Sequence, residues 1–205
     1  MNNKKNSLLI SLLLINFTIF GNLINIQKVA PEILLDIRYA TNNNFTNKAV
    51  YTQAKCYLLE PVAQALANAA KNFALLGYKI KIWDGYRPHA VQFIFWQLVP
   101  DSRYAGDPYK GSKHNRGAAV DLTLTDMNGN EIAMGTEFDD FSERAHRDYN
   151  NFSQEILDNR KLLESVMEKH GFSGLATEWW HFDHNESLTC PLLNISFEDL
   201  EKEQQ

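Results

Sequence analysis

Residues 112–121 read Ser-Lys-His-Asn-Arg-Gly-Ala-Ala-Val-Asp, and residues 178–181 read Glu-Trp-Trp-His. The first stretch passes through a glycine, which permits a tight turn, into an alternating apolar run that continues to Leu124. This pattern predicts a loop that leads into a β-strand. The second stretch is short and aromatic, which favours another strand. Two histidines, an aspartate and a glutamate therefore lie on or beside two predicted strands.

Three of these residues, His114, Asp121 and His181, are predicted zinc ligands. Two imidazoles and a carboxylate can hold a zinc ion and leave its fourth position open for water. Glu178 lies three residues before the second histidine and is placed to take a proton from that water, so it is the predicted general base. A structural zinc site uses all four positions and usually contains cysteine, whereas this set contains none. The pattern therefore indicates one catalytic Zn²⁺ per chain.

Two alternatives stay open at this point. A histidine seven residues before an aspartate is also typical of a surface histidine and a turn aspartate, and His184 is a rival for His181 at the polar edge of the aromatic run. In addition, positions 178 and 181 point to opposite faces of an ideal strand. Both can face one metal only if the backbone twists, bulges or turns between them.

Two further residues are candidates for contacts with a substrate. Arg87, in the stretch Asp-Gly-Tyr-Arg-Pro, could stabilise an oxyanion that forms at a scissile carbonyl. Asp139, in Met-Gly-Thr-Glu-Phe-Asp, could hold the free ammonium group of a substrate. The alternatives are an arginine that pairs with a surface acid, and an aspartate that caps a helix near Ser142.

The predicted elements mix helices and strands without a regular βαβ rhythm, which favours an α+β fold with an antiparallel sheet flanked by helices. On the strand over 118–124, Val120, Leu122 and Leu124 share the face predicted to pack on the core, and Asp121 lies on the face predicted to line a cleft. The tail from residue 186 is predicted to be peripheral. The remaining predictions are strands over 33–39, 78–83 and 178–183, helices over 60–76, 89–99 and 153–170, and loops over 41–50 and 100–113.

The chain has 205 residues and a formal net charge of −5, and it contains no block of Lys and Arg, which argues against a nucleic-acid-binding protein. Residues 1–21 combine Lys4 and Lys5 with an apolar run and predict a signal peptide, with an N-terminal anchor as the alternative. The apolar run is shorter than the roughly 20 residues of a membrane span. In an exported protein Cys56 and Cys190 could form a disulfide, and two unpaired thiols are an equal alternative.

Four ordered motifs resemble the zinc D-alanyl-D-alanine dipeptidases of the VanX type, in peptidase family M15. They are residues 112–124, Asp-Gly-Tyr-Arg-Pro at 84–88, Met-Gly-Thr-Glu-Phe-Asp at 134–139, and Glu-Trp-Trp-His-Phe at 178–182. The similarity runs from about residue 32 to residue 184. It implies the small α+β zinc-peptidase fold that is shared with Hedgehog-like domains and D,D-carboxypeptidases, and hence a zinc dipeptidase catalytic domain over 22–205.

The resemblance also implies roles for individual residues. It makes His114, Asp121 and His181 the zinc ligands, Glu178 the general base, and Arg87 the arginine that assists the transition state. Asp139 would receive the amino terminus of the substrate, and Ser112 falls near a serine that contacts the substrate.

The activity implied is hydrolysis of D-Ala-D-Ala to two D-alanines in cell-wall peptide turnover or salvage, with this small dipeptide as the partner. Resistance-type members generally lack an export signal, so the predicted signal peptide favours a periplasmic or secreted bacterial enzyme without stable membrane association after its removal. Two alternatives stay open: a murein D,D-carboxypeptidase or endopeptidase that cuts longer wall peptides, and a non-catalytic binding module stabilised by zinc. The oligomeric state is not determined by the sequence.

Overall fold

The computed structural model describes residues 22–185 and 189–204, so the predicted signal segment at 1–21 lies outside the described residues. The centre of the fold is a five-stranded sheet. In spatial order its strands are β2 (Leu34–Leu35), β4 (Lys79–Asp84), β5 (Ala119–Thr125), β7 (Glu178–His184) and β6 (Phe172–Leu175). The neighbours β2 and β4 are parallel, and the other three pairs are antiparallel. The α+β prediction is therefore confirmed.

The described residues form four α-helices: α1 (Glu60–Leu75), α2 (His89–Leu98), α3 (Gln154–Lys169) and α4 (Phe197–Glu203). Helix α1 carries Pro61 in its first turn, where proline is tolerated, and the chain leaves it through Gly77, whose φ is +85°. Its apolar residues recur at helical spacing and are buried. The three helices predicted from the sequence are present with ends within one or two residues of the predicted ones.

A small two-stranded sheet supports the loop that carries His114. It pairs β1 (Leu23–Asn25) with β3 (Tyr57–Leu59) in antiparallel register. Gly117 lies against it with φ +66°, and its carbonyl accepts a hydrogen bond from the amide of Leu59. A Cβ at this position would approach the Leu23 side chain to 2.4 Å and the Leu59 amide nitrogen to 3.2 Å. Glycine is therefore required where the loop turns into β5.

Three predictions about the fold were wrong in part. The strand expected over 33–39 is confined to Leu34–Leu35, because the chain then enters a 3₁₀ turn at Arg38–Ala40 that buries Tyr39. The face of β5 that was expected to line a cleft is buried along its whole length, and of its residues Asp121 borders the cleft as predicted. Both differences reflect tertiary packing that overrides local propensity.

The tail was expected to be peripheral, and its described part is not. Helix α4 buries Phe197 and Leu200, and the Phe197 ring packs against three tyrosine rings of the core, those of Tyr51, Tyr57 and Tyr86. The sequence did not predict this burial, because the tail is mostly polar.

Among the described residues, no helix combines the length and the apolar character that crossing a bilayer requires.

Candidate metal centre

The pairing of β5 with β7 brings two of the predicted ligands together. Asp121 and His181 are directly opposite each other in the antiparallel register, and Asp121 Oδ1 lies 3.0 Å from His181 Nδ1. His114 lies in the 3₁₀ turn that precedes β5, with its Nε2 3.1 Å from His181 Nδ1 and 3.4 Å from Asp121 Oδ2. One ligand atom from each residue lies within 4.8 Å of the others, and all three residues are buried. The structure thus unites the three predicted ligands in one group that could hold a metal ion.

The outer nitrogen of each imidazole is held by an oxygen acceptor. His114 Nδ1 donates to the carbonyl oxygen of Gly85 at 2.7 Å, and His181 Nε2 donates to Asp183 Oδ1 at 3.0 Å. In the neutral form that a metal requires, these bonds would leave Nε2 of His114 and Nδ1 of His181, which lie 3.1 Å apart, as the nitrogens with lone pairs directed into the group. Such outer partners orient a ligating histidine and determine its tautomer.

A β-bulge brings Glu178 to the same side as His181. In the hairpin of β6 and β7, Gly174 is opposite Phe182, but the next residue, Leu175, is opposite Glu178. The register therefore shifts between residues 178 and 182, which removes the strict alternation of an ideal strand. Glu178 Oε2 consequently lies 3.9 Å from His181 Nδ1, with the carboxylate almost fully buried. The local distortion that the sequence required is present.

Arg87 is held by a buried partner, not by a surface acid. Its Nε and Nη2 donate to Asp84 Oδ2 at 3.2 and 2.7 Å, and its Nη1 donates to Gln92 Oε1 at 2.9 Å. The Asp84 side chain is completely buried, and its Oδ1 also accepts from the hydroxyl of Tyr51. The guanidinium is stacked over the Phe95 ring, 4.5 Å from its centroid. This network fixes a buried cation at the wall of the cleft beside the metal group.

Asp139 faces the same cleft from a strained backbone. Its φ is +61°, and its carboxylate accepts a hydrogen bond from the hydroxyl of Tyr39 at 3.0 Å. The 3₁₀ turn at Glu143–Ala145 has Ser142, not Asp139, at its N-cap position. Asp139 is thus free of the helix-capping role that was its alternative interpretation.

The cleft has a volume of about 190 Å³ and contains all seven predicted site residues in its lining. Ser112 is one of these seven residues, and its hydroxyl accepts a hydrogen bond from the backbone amide of His114 at 3.2 Å. This bond connects the serine to the residues of the metal group. Aromatic walls surround the polar groups. They are Tyr39, Phe45, Phe95, Tyr104, Phe141 and Trp180.

The comparison with known families agrees with this geometry. The sequence model of the peptidase M15 family, described as D-ala-D-ala dipeptidase, matches residues 21–202. The chain belongs to the peptidase M15 family.

Relatives of this family member cover most of its length. The D-alanyl-D-alanine dipeptidase of Escherichia coli (strain K12) is 38% identical over 175 residues, which are 85% of this chain and 91% of that protein. The D-alanyl-D-alanine dipeptidase of Enterococcus faecium is 34% identical over 178 residues, 77% of this chain and 88% of that protein. Among solved structures, a vancomycin-resistance D,D-pentapeptidase in complex with Zn(II) matches with a TM-score of 0.42 at 13% identity, covering 68% of this chain and 80% of that chain.

Burial and charge shift the acidity of the groups in this M15 peptidase. Burial and then the negative charges of Asp121 and Asp139 raise the pKa of Glu178 to about 8 in the metal-free protein, against the opposing effect of His181. Burial would lower the pKa of His181, but its hydrogen bonds to Asp121 and Asp183 outweigh this and raise the pKa to about 10. A cluster of groups with shifted pKa values in a cleft is typical of an active site.

Several residues that build this site were not singled out from the sequence. Asp84 lies in the Asp-Gly-Tyr-Arg-Pro stretch and binds Arg87 three residues further on, whereas Tyr39 binds Asp139, which is 100 residues further along the chain. Asp183 follows the aromatic run and orients His181. The sequence left a disulfide and two unpaired thiols as equal alternatives for Cys56 and Cys190, and both are free thiols in the structure.

Proposed function

We propose that this M15 peptidase is a zinc-dependent dipeptidase that hydrolyses D-Ala-D-Ala to two D-alanines in cell-wall peptide turnover or salvage. The observation that carries the proposal is the position of Glu178, whose carboxylate lies 3.9 Å from His181 within the three-ligand group. A purely structural metal site has no use for an additional buried carboxylate at this position. The names of the relatives support the choice of substrate.

The donor set of His114, Asp121 and His181 fits zinc. Two imidazole nitrogens and one carboxylate oxygen are ligands that Zn²⁺ accepts in a tetrahedral catalytic site with one open position. Both histidines have their outer N–H groups already bonded to oxygen, as zinc-binding histidines commonly do. When bound, zinc would acidify a water molecule and polarise the scissile carbonyl.

Glu178 moves the proton in this mechanism. Its carboxylate accepts a proton as water attacks the peptide carbon, and it then delivers that proton to the nitrogen of the leaving amine. Its burial beside Asp121 and Asp139 raises its affinity for a proton, as the pKa of about 8 in the metal-free protein indicates. The positive charge of a metal held by His114, Asp121 and His181 would lower the pKa of Glu178.

Arg87 and Asp139 interact with two different groups of the substrate, the scissile carbonyl and the free ammonium group. The fixed guanidinium of Arg87 stabilises the oxyanion that develops at the carbonyl, because Asp84 and Gln92 prevent it from reorganising. Asp139 receives the ammonium group of the dipeptide, and Ser112 contacts the substrate from the opposite loop. A blocked amino group would leave the Asp139 carboxylate desolvated without a cationic partner, which disfavours longer peptides.

The size of the cleft supports a dipeptide over a wall peptide. Its volume of about 190 Å³ is smaller than the roughly 300–1,000 Å³ of sites for drug-sized ligands. The loop over 100–113 closes one side, since Thr177 donates to the carbonyl of Arg103 at 3.0 Å and Gln92 donates to the carbonyl of Gly106 at 2.8 Å. These bonds restrict the space for residues beyond a free amino terminus.

The test compares four substrates on one zinc-loaded preparation: D-Ala-D-Ala, L-Ala-L-Ala, N-acetyl-D-Ala-D-Ala and a wall pentapeptide that ends in D-Ala-D-Ala. We expect rapid release of D-alanine from the free D,D-dipeptide, and at least 100-fold slower release from the blocked and longer substrates. The chelated protein should be inactive and should recover with Zn²⁺. The matched control is Glu178→Gln, which keeps the shape of the side chain, retains zinc and loses turnover.

Two outcomes would overturn the proposal. Preferential cleavage of the pentapeptide would identify a D,D-carboxypeptidase, and zinc binding without hydrolysis of any D,D-peptide would identify a binding module.

The proposed location is the periplasm or the exterior of a bacterial cell, on the basis of the signal-like segment at 1–21. N-terminal sequencing of the protein secreted or released from the periplasm tests this location.

A further inference from the structure

A partly buried arginine outside the predicted site lies across the hairpin that carries Glu178 and His181. Arg147 Nη2 donates to the carbonyl oxygens of Trp179 at 3.0 Å and His181 at 2.8 Å. Its Nε donates to the carbonyl oxygen of Leu175 at 2.9 Å. One guanidinium therefore holds three carbonyls, on both strands of the hairpin.

These carbonyls lie where the hairpin departs from a regular ladder. The register shift removes regular β6–β7 pairing between Glu178 and Phe182, and this interval contains the carbonyls of Trp179 and His181. A buried carbonyl without a donor is unfavourable, so an irregular strand needs a substitute for its lost ladder bonds. Arg147 is that substitute, because its planar fork presents donors in directions that match several acceptors at once.

The surroundings hold the Arg147 side chain in place. Its Nη1 donates to Glu164 on α3 at 3.2 Å, its guanidinium is stacked over Phe182 at 4.4 Å, and its backbone amide donates to the carbonyl of Ala176 at 2.9 Å. Gly174 leaves the space that the guanidinium occupies, since a Cβ there would lie 2.1 Å from Arg147 Cζ. Arginine and glycine thus form a complementary pair across the hairpin.

We propose that Arg147 is a positioning residue that stabilises the bulge of β7 and thereby directs Glu178 and His181 to the same metal ion. It does not contact the ligand atoms, and it acts through the backbone of the residues that carry them. This inference rests on the proposed function, because it assigns a purpose to the geometry of the proposed base and ligand. Gly174 contributes to the same arrangement, because its lack of a side chain leaves room for the Arg147 guanidinium.

The experiment uses Arg147→Lys and, as an independent variant, Gly174→Ala. Lysine keeps the positive charge for Glu164 but cannot span three carbonyls, and alanine displaces the guanidinium from the opposite strand. Zinc affinity is measured by competition with a chelator, kcat and KM are measured on D-Ala-D-Ala, and hydrogen exchange is followed over residues 175–182. We expect zinc affinity to fall about 10- to 100-fold, as for other outer-partner changes, kcat to fall with little change in KM, and exchange to accelerate in the hairpin.

The matched control is Arg160→Lys. Arg160 is a buried arginine that, like Arg147, donates to three carbonyls, but those of Met134, Arg144 and His146 lie outside the hairpin. This variant should lose stability and keep the zinc affinity of the wild type. Equal zinc affinity and unchanged hairpin exchange in Arg147→Lys and Gly174→Ala would overturn the inference.

Failure of the proposed function gives a different result. A wild-type protein that binds zinc but does not hydrolyse D-Ala-D-Ala refutes the substrate assignment, while zinc affinity and hydrogen exchange still measure the role of Arg147. Loss of zinc affinity in both hairpin variants, with Arg160→Lys unaffected, supports the positioning role in either case.

Discussion

Replacing Asp139 with asparagine should make the metal-free protein more stable at neutral pH while it impairs substrate binding. Asparagine fits the backbone, because it tolerates the positive φ of +61° better than most residues. Its amide oxygen can still accept the hydrogen bond from Tyr39, which is 3.0 Å from the carboxylate in the wild type. The change therefore removes the charge and little else.

The magnitude follows from the acidity of the carboxyl group. Burial, and then the negative charge of Asp121, raise the pKa of Asp139 from its ordinary value of 3.8 to about 7. Between pH 4 and pH 7 the native state keeps a proton that the unfolded state has released, so the stability of the wild type falls as the pH rises through this window. At about 1.4 kcal/mol per pH unit, the ionised group costs the native state up to about 4 kcal/mol above pH 7.

The assay is urea unfolding of the chelated protein at pH 5 and at pH 8. The stability gap between Asp139→Asn and the wild type should widen by about 2–3 kcal/mol from pH 5 to pH 8, in favour of the variant. Asp140→Asn is the control, because Asp140 is adjacent and accepts a hydrogen bond from the exposed backbone of Ser142. A gap that is the same at both pH values, or a variant less stable than the wild type at pH 8, would refute the reasoning.

Three further changes probe the rest of the molecule. Arg87→Lys keeps a charge for Asp84 but loses the fork, so kcat should fall about 10²–10³-fold, and a kcat within threefold of the wild type would exclude Arg87 from transition-state stabilisation. Asp183→Asn replaces the carboxylate that orients His181, so zinc affinity in a chelator competition should fall about tenfold or more, and unchanged affinity would contradict this role. Phe197→Ala empties a core position in α4 and should cost about 3–5 kcal/mol in urea unfolding, whereas a loss below 1 kcal/mol would show that the tail is dispensable.

Much of the secondary structure could be predicted because its signals are local. Helix α1 is recognisable from a proline in its first turn, apolar residues at helical spacing and a glycine just beyond its end. Strand β5 is recognisable from its alternating apolar residues. Helix α4 was missed because its seven residues are mostly charged, and two buried apolar side chains in a short segment produce only a weak periodic signal.

The candidate ligands could be named from the sequence, but the contacts that support them could not. His114, Asp121 and His181 belong to residue types that hold metals, and their spacing repeats a recognisable pattern. Asp84, Asp183 and Arg147 belong to residue types that are usually on the surface, and nothing in the chain near them indicates their hydrogen-bond partners. Their roles depend on contacts that form only when the strands are paired.

The amino-acid sequence alone was sufficient to predict a candidate metal-binding group and a candidate general base, and to determine where most helices begin and end. These properties depend on residue type and on neighbours within a few positions. The tertiary structure decided the rest: the bulge that brings Glu178 beside His181, the arginine that stabilises it, and the burial of the tail. The loss of backbone hydrogen bonds at the bulge is unfavourable, and donors from distant parts of the chain compensate for it. The apolar residues of the tail are likewise buried against distant residues. Only the folded chain brings these parts together.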